Sequence, residues 1–288
     1  MAAFTEEMAP LSEEEALLIA SKFLLASPPG QIKEVLKDVQ ALVPKGVLTD
    51  VVLADVFRQY NNQTSQVMGT GEQTIICDED LAIDNEHYME FATKKVVCVD
   101  HASQTIVDPD VADVEPKEIT PLLDEMRTAV EDQVSKYVSS QFLEGTTMVS
   151  ASGNKGRVIV HLSGEKLNLK NYWSGRWMAK YTIDVVGKRL SGSVKIRVHY
   201  FEDGNVQMTT EKLVEEVPLS FTDAKSLGEA AADAIAEEES QIQDSLEEMY
   251  VNMSTETFKD MRRVLPVTRQ KMDWSGAQLQ LAKAFNER

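Results

Sequence analysis

The chain is 288 residues long and carries 47 Asp and Glu against 29 Lys and Arg, a formal charge of -18. That length buries a substantial core without disulfide stapling, and its two cysteines, Cys77 and Cys98, lie in no metal-ligand or redox spacing. The excess negative charge repels phosphate and excludes general nucleic-acid binding, and no apolar run approaches the ~20 residues of a membrane-spanning helix. The acidic N-terminus lacks the pattern of a secretory or mitochondrial signal, which leaves the cytosol or the nucleus as the expected location.

Three helical patterns open the chain. Ser12 and Glu15 form a capping-box pair ahead of Leu17, Ala20 and Leu24, and Ser27-Pro28-Pro29-Gly30 ends that run. Ile32, Val35, Leu36, Val39 and Leu42 recur at helical spacing until Pro44 and Gly46; Leu53, Val56, Phe57 and Tyr60 make a third stripe. Residues 1–61 are therefore expected to hold a small helical bundle. Residues 62–144 read as short strands and loops, then a connecting helix that starts at Thr120-Pro121 and buries Leu122, Met126, Val130, Val134, Tyr137 and Val138.

After Gly145 the period changes to two. Trp173, Gly175, Trp177, Ala179, Tyr181, Ile183 and Val185 fall on one face of a strand, and Arg176, Lys180, Thr182 and Asp184 on the other. Val194, Ile196, Val198 and Tyr200 repeat the alternation, and Asp203-Gly204 turns the chain into Val206 and Met208. Residues 145–220 are expected to form an antiparallel meander of about five strands with one apolar face in need of cover. The next segment, 221–257, offers that cover: Leu227, Ala231, Ile235, Ile242, Leu246, Met249 and Met253 mark a long helix of about 45 Å at 1.5 Å per residue. Its other side is acidic, with ten Asp and Glu against one Lys between Asp223 and Glu256, the composition of a solvated face. The fold class is α+β.

No enzyme signature appears. Gly153-Asn154-Lys155-Gly156 is too short for a phosphate-binding loop and reads as a hairpin turn. His87, His101, His161 and His199 are scattered without metal-ligand spacing, and no nucleophile elbow is present. We therefore expect no catalytic residue, metal or cofactor. The distinctive segment is 258–288, with seven basic residues (Lys259, Arg262, Arg263, Arg269, Lys271, Lys283, Arg288) against three acidic ones, a net of +4 in a chain otherwise at -22. Such an island suits docking on an acidic protein surface. Beyond Pro266, Asp273 caps a last helix whose Trp274, Ala277, Leu281, Ala284 and Phe285 share a face, the pattern of an amphipathic arm that lies in a partner's groove.

Asn171-Tyr172-Trp173-Ser174-Gly175-Arg176-Trp177, the run from His199 to Gln207 and the run from Phe258 to Arg269 resemble the F-actin capping protein alpha subunit family, as do Lys22-Phe23, Pro28-Pro29-Gly30, Glu34-Val35 and Tyr60-Asn61 nearer the N-terminus. The resemblance implies an obligate heterodimer with a beta subunit of similar fold. Each chain would contribute a helical bundle, strands to a joint antiparallel sheet, a long helix over it and a C-terminal arm. It implies calcium-independent capping of actin filament barbed ends in the cytoplasm, at the cytoskeleton, with Lys259, Arg263 and Arg269 at the filament, Arg262 and Lys271 beside them, and Trp274, Leu281 and Phe285 on the arm. Lys259, Arg262 and Arg263 also suit phosphoinositide head groups, by which the family's capping is inhibited. Capping of the actin-related filament of dynactin is the alternative. Met178 departs from the basic residue usual in the family and is expected to change only the sheet's polar surface; Ser275-Gly276 opens the last helix weakly.

Overall fold

The computed structural model describes residues 12–70, 73–152, 156–202 and 205–252, within two compact units, Met1–Glu238 and Glu239–Arg288. Helix α1 (Glu13–Leu25) begins with the capping box read from the sequence: Ser12 Oγ accepts the Glu15 N–H at 3.2 Å and Glu15 accepts the Ser12 N–H at 2.9 Å. Helices α2 (Ile32–Leu42) and α3 (Asp50–Gln63) follow, and α1 packs on both. Ala20, Leu24, Val39 and Val56 close one cluster between them; Ile32, Phe57 and Tyr60 close another. These are the apolar positions at helical spacing, so here periodicity and burial agree.

The weakly patterned segment resolves into two small antiparallel sheets, β1 (Val67–Thr70) with β2 (Gln73–Ile76), and β3 (His87–Glu90), β4 (Lys95–Asp100) and β5 (Thr105–Asp108) in that order. Their shared core includes Ile76, Tyr88, Met89, Phe91 and Val97, and Met148 from the main sheet joins it. Helix α4 (Pro121–Gln141) takes proline at its first turn, as expected, but the Thr120 side chain makes no capping bond. Its buried face is Leu123, Arg127, Val130, Val134 and Val138, and Leu122 is 64% exposed. The expected face is corrected by about one residue at this end. Arg127 takes a core position because Asp124, Glu131 and the Val149 carbonyl satisfy its guanidinium at 2.9, 2.5 and 3.4 Å.

The main sheet runs β10-β9-β8-β7-β6, antiparallel throughout: β6 (Gly145–Ser152), β7 (Arg157–Asn168), β8 (Trp173–Asp184), β9 (Arg189–Tyr200) and β10 (Val206–Pro218). It is the five-stranded meander expected from the alternation. Helix α5 (Ala224–Asn252) starts where Asp223 Oδ1 accepts the Ser226 N–H at 2.8 Å, and Leu227, Ala231 and Ile235 are fully buried. Gly228 brings α5 against α4 so closely that a Cβ there would stand 2.3 Å from the Ala129 carbonyl oxygen.

Candidate protein-interaction surface

Both faces of the main sheet are used, and differently. On the first, even-numbered residues of β8 meet the N-terminal half of the chain. Gln31 donates to Ser174 Oγ at 3.2 Å and lies 2.8 Å from His199 Nδ1. Arg197 donates to the carbonyls of Ala26 and Ser27, both at 2.9 Å, placing a cation at the negative end of α1. Arg176, 2% exposed, donates to the Thr64 carbonyl at 3.2 Å and Gln66 Oε1 at 3.0 Å and pairs with Glu165. The polar face read as surface is therefore an internal joint over this half, and Met178, 5% exposed, belongs to it rather than to a solvated surface. A regular alternation of polar residues cannot report that another layer of the same chain will cover them.

Farther along that face, Lys180 Nζ sits between Asp78 Oδ1 at 2.9 Å and Asp80 Oδ2 at 2.5 Å. Burial alone would raise the Asp78 pKa, but His161, the Asp80 backbone N–H and Lys180 together hold its carboxyl well below the usual range. Lys180 is shifted up in turn, burial being outweighed by the two carboxylates. Asp78, Asp80 and His161 could present one ligand atom each within 4.8 Å of one another, yet a metal there would have to displace the ammonium that already neutralises the pair. Ser150 Oγ lies 3.2 Å from His161 Nε2, and Asp78 Oδ2 lies 3.7 Å from Nδ1, in the order of a hydrolase triad. Ser150, however, is 2% exposed in the middle of a regular strand rather than on a sharp turn that presents a nucleophile, and Asp78 is engaged by Lys180. The alignment holds β6 and β7 to the β2–β3 connection.

The second face changes character along the strands. Ala179, Tyr181 and Ile183 of β8 are buried with Val158, Val160, Leu190 and Val194, at the end where α4 runs along β6 and β7. Trp173, Gly175 and Trp177 are only half-buried, as are Val198 and Tyr200 opposite them, and Val206 on β10 is 60% exposed. A groove of about 340 Å³ lies here, lined by Phe142, Leu143, Gly175, Trp177, Ile196 and Val198 among others. Phe142 reaches the sheet because Gly164 has no side chain; a Cβ there would stand 2.5 Å from the Phe142 ring, which packs 6.1 Å from that of Trp177. Lys166 lies over Trp173 at 5.6 Å.

Two further features are exposed. Among the described residues of β10, the sheet's edge strand, Val214 alone is buried, whereas four consecutive residues of β6 at the opposite edge are buried. On α1, Leu18, Ile19 and Phe23 are 56%, 41% and 62% exposed. These three lie off the inward stripe of Leu17, Ala20 and Leu24 that the spacing marks. Their signal was present, since a helix apolar on more than one side is one that meets a second surface. The sites assigned from the sequence, Lys259, Arg262, Arg263, Arg269, Lys271, Trp274, Leu281 and Phe285, lie outside the described residues.

Among the described residues, a half-covered apolar sheet face, a thirteen-residue edge strand with one buried position and an apolar helix flank are the surfaces a mixed helix-and-sheet chain presents for contact with another protein. The family model described as F-actin capping protein alpha subunit matches residues 20–284. The F-actin-capping protein subunit alpha of Caenorhabditis elegans is 32% identical over 281 residues, covering 94% of this chain and 97% of that protein. That of Dictyostelium discoideum is 31% identical over 271 residues, covering 91% and 94%. A solved structure, that of the homodimeric actin capping protein alpha subunit from Plasmodium berghei, shares the fold with a TM-score of 0.68 at 20% identity, over 90% of this chain and 99% of that one. The chain belongs to the F-actin capping protein alpha subunit family. No helix among the described residues is long and apolar enough to cross a membrane.

Proposed function

We propose that this chain is the alpha half of a heterodimer that caps the barbed ends of actin filaments by binding rather than by catalysis. The observation that carries the reading is the family membership joined to the half-open sheet. Strand β10 offers an edge for a beta subunit's strand, and the groove beside Trp177 offers apolar surface for its covering helix. In this reading α5 covers this chain's own strands in the same way, and residues 258–288 form the arm. Lys259, Arg262, Arg263, Arg269 and Lys271 then meet acidic filament surface, and Trp274, Leu281 and Phe285 fill an apolar groove on it. Phosphoinositide head groups compete for Lys259, Arg262 and Arg263.

One observation favours a second reading of the assembly. The Plasmodium berghei chain of the same fold is homodimeric, so a second copy of this chain is the rival occupant of β10. The test is to express the chain alone and with a beta subunit, measure mass by sedimentation, and follow growth from pre-formed filament seeds. A one-to-one heterodimer that stops barbed-end but not pointed-end growth is expected. Free barbed-end growth in its presence overturns the capping reading, and a stable homodimer that refuses the beta subunit overturns the heterodimer.

A further inference from the structure

His101 closes the turn between β4 and β5 and is 6% exposed. Its Nε2 lies 2.9 Å from the Asn85 carbonyl, which can only accept, so the ring proton sits on Nε2 and Nδ1 is left as an acceptor. Asn61, fully buried in the last turn of α3, faces that acceptor with its Nδ2 at 3.2 Å. The amide cannot turn over: Nδ2 also donates to the His101 carbonyl at 3.0 Å, and Oδ1 accepts from Gln104 Nε2 at 2.9 Å. Tyr88 packs edge-on against the ring at 5.8 Å and donates its own hydroxyl to Asn62 of α3 at 2.7 Å. Lys33 of α2 donates to the Ser103 carbonyl of the same turn at 2.9 Å. The 100–104 turn is thus held to the helical bundle through α2 and α3, with His101 at the centre of the joint.

We infer that this joint is an acid-sensitive latch: a proton on His101 Nδ1 would point at the Asn61 N–H and release α3 from the β4–β5 turn. What faces that proton is a donor, the Asn61 Nδ2, which the His101 carbonyl and Gln104 hold in that orientation. The charged groups around the ring are Arg58 on α3, which opposes protonation, and Asp100 on the turn and Glu86 ahead of β3, which favour it. Burial outweighs the Asn85 carbonyl and the two carboxylates, so the closed joint holds the ring's pKa below its ordinary value of 6.5. The sign follows: the opened turn binds a proton that the closed one refuses, so closure is fully stable above 6.5 and weakens as the pH falls below it.

Hydrogen exchange on the full-length assembled protein tests this, read for residues 60–66 and 100–106 against 130–138 in the middle of α4. With the intrinsic pH dependence of exchange removed, protection in the first two segments is expected to fall as the pH drops below 6.5, with one proton setting an upper limit of about tenfold per pH unit, while α4 is unchanged. The neutral variant His101→Gln is expected to abolish that slope, which separates this ring from His87, His161 and His199. In the unaltered protein, the His101 ring resonance should titrate below 6.5 together with the Asn61 side-chain amide. Equal loss in α4, an unchanged slope in His101→Gln, or an ordinary titration that leaves Asn61 unmoved would each overturn the latch.

Discussion

At the scale of single residues, the chain stakes most on charges it has taken out of water. Arg176 is 2% exposed and joins β8, β7 and the stretch after α3 through Glu165, Gln66 and the Thr64 carbonyl. Arg176→Ala leaves Glu165 without its partner and two acceptors without a donor, so a loss of about 3 kcal/mol in urea unfolding is expected. The double change with Glu165→Ala should cost less than the sum of the two singles. Asp78 gives a pH prediction of definite sign. Its folded pKa is depressed, so its contribution is fully present above the unfolded carboxyl value of about 3.9 and is lost as pH falls through the folded one. The urea midpoint should drop as pH falls below 4, and Asp78→Asn should flatten that drop.

At the scale of elements, close approach replaces side chains at a few chosen points. Gly228 of α5 lies where a Cβ would meet the Ala129 carbonyl at 2.3 Å, so Gly228→Ala forces α5 off α4. The gain in helix propensity, about 1 kcal/mol, is outweighed by overpacking, and a net loss on the order of 1 to 2 kcal/mol in thermal or urea unfolding is expected. How much was legible beforehand follows from the same contacts. The three N-terminal helices, the proline start of α4 and the five-strand meander follow from local pattern, because capping, breakers and period act within a few residues of sequence. Arg176 in β8 was not legible because its partners lie as far off as Thr64, and Arg127, though paired locally with Asp124 and Glu131, because the strand it packs on, at Val149, is distant in sequence. The open half of the sheet was foreseeable as an apolar face needing cover. Which strand ends stay bare depends on where α4 ends, at Phe142 over Gly164.

At the scale of the whole molecule, the proposed function divides an acidic chain with a basic C-terminal island between two tasks, completion by a partner and attachment to a filament. The open edge and groove belong to the first, so expression without a beta subunit should give a chain that self-associates or precipitates. Sedimentation at micromolar concentration checks this, and a well-behaved monomer would contradict it. In the proposed reading the second task falls to 258–288. Changing Leu281 and Phe285 to Ser removes apolar burial of about 2 kcal/mol per side chain and should mainly speed release from the filament end. Changing Arg263 and Arg269 to Glu adds repulsion at an acidic surface and should slow association as well. The most direct measurement is barbed-end growth from seeds over a range of dimer concentrations and ionic strengths, with the unaltered dimer beside these two variants. The predicted result is capping whose association rate falls with salt in the unaltered and Leu281/Phe285 dimers and is slowed more than tenfold in the charge-reversed one. Association by the charge-reversed dimer at the unaltered rate would contradict the account.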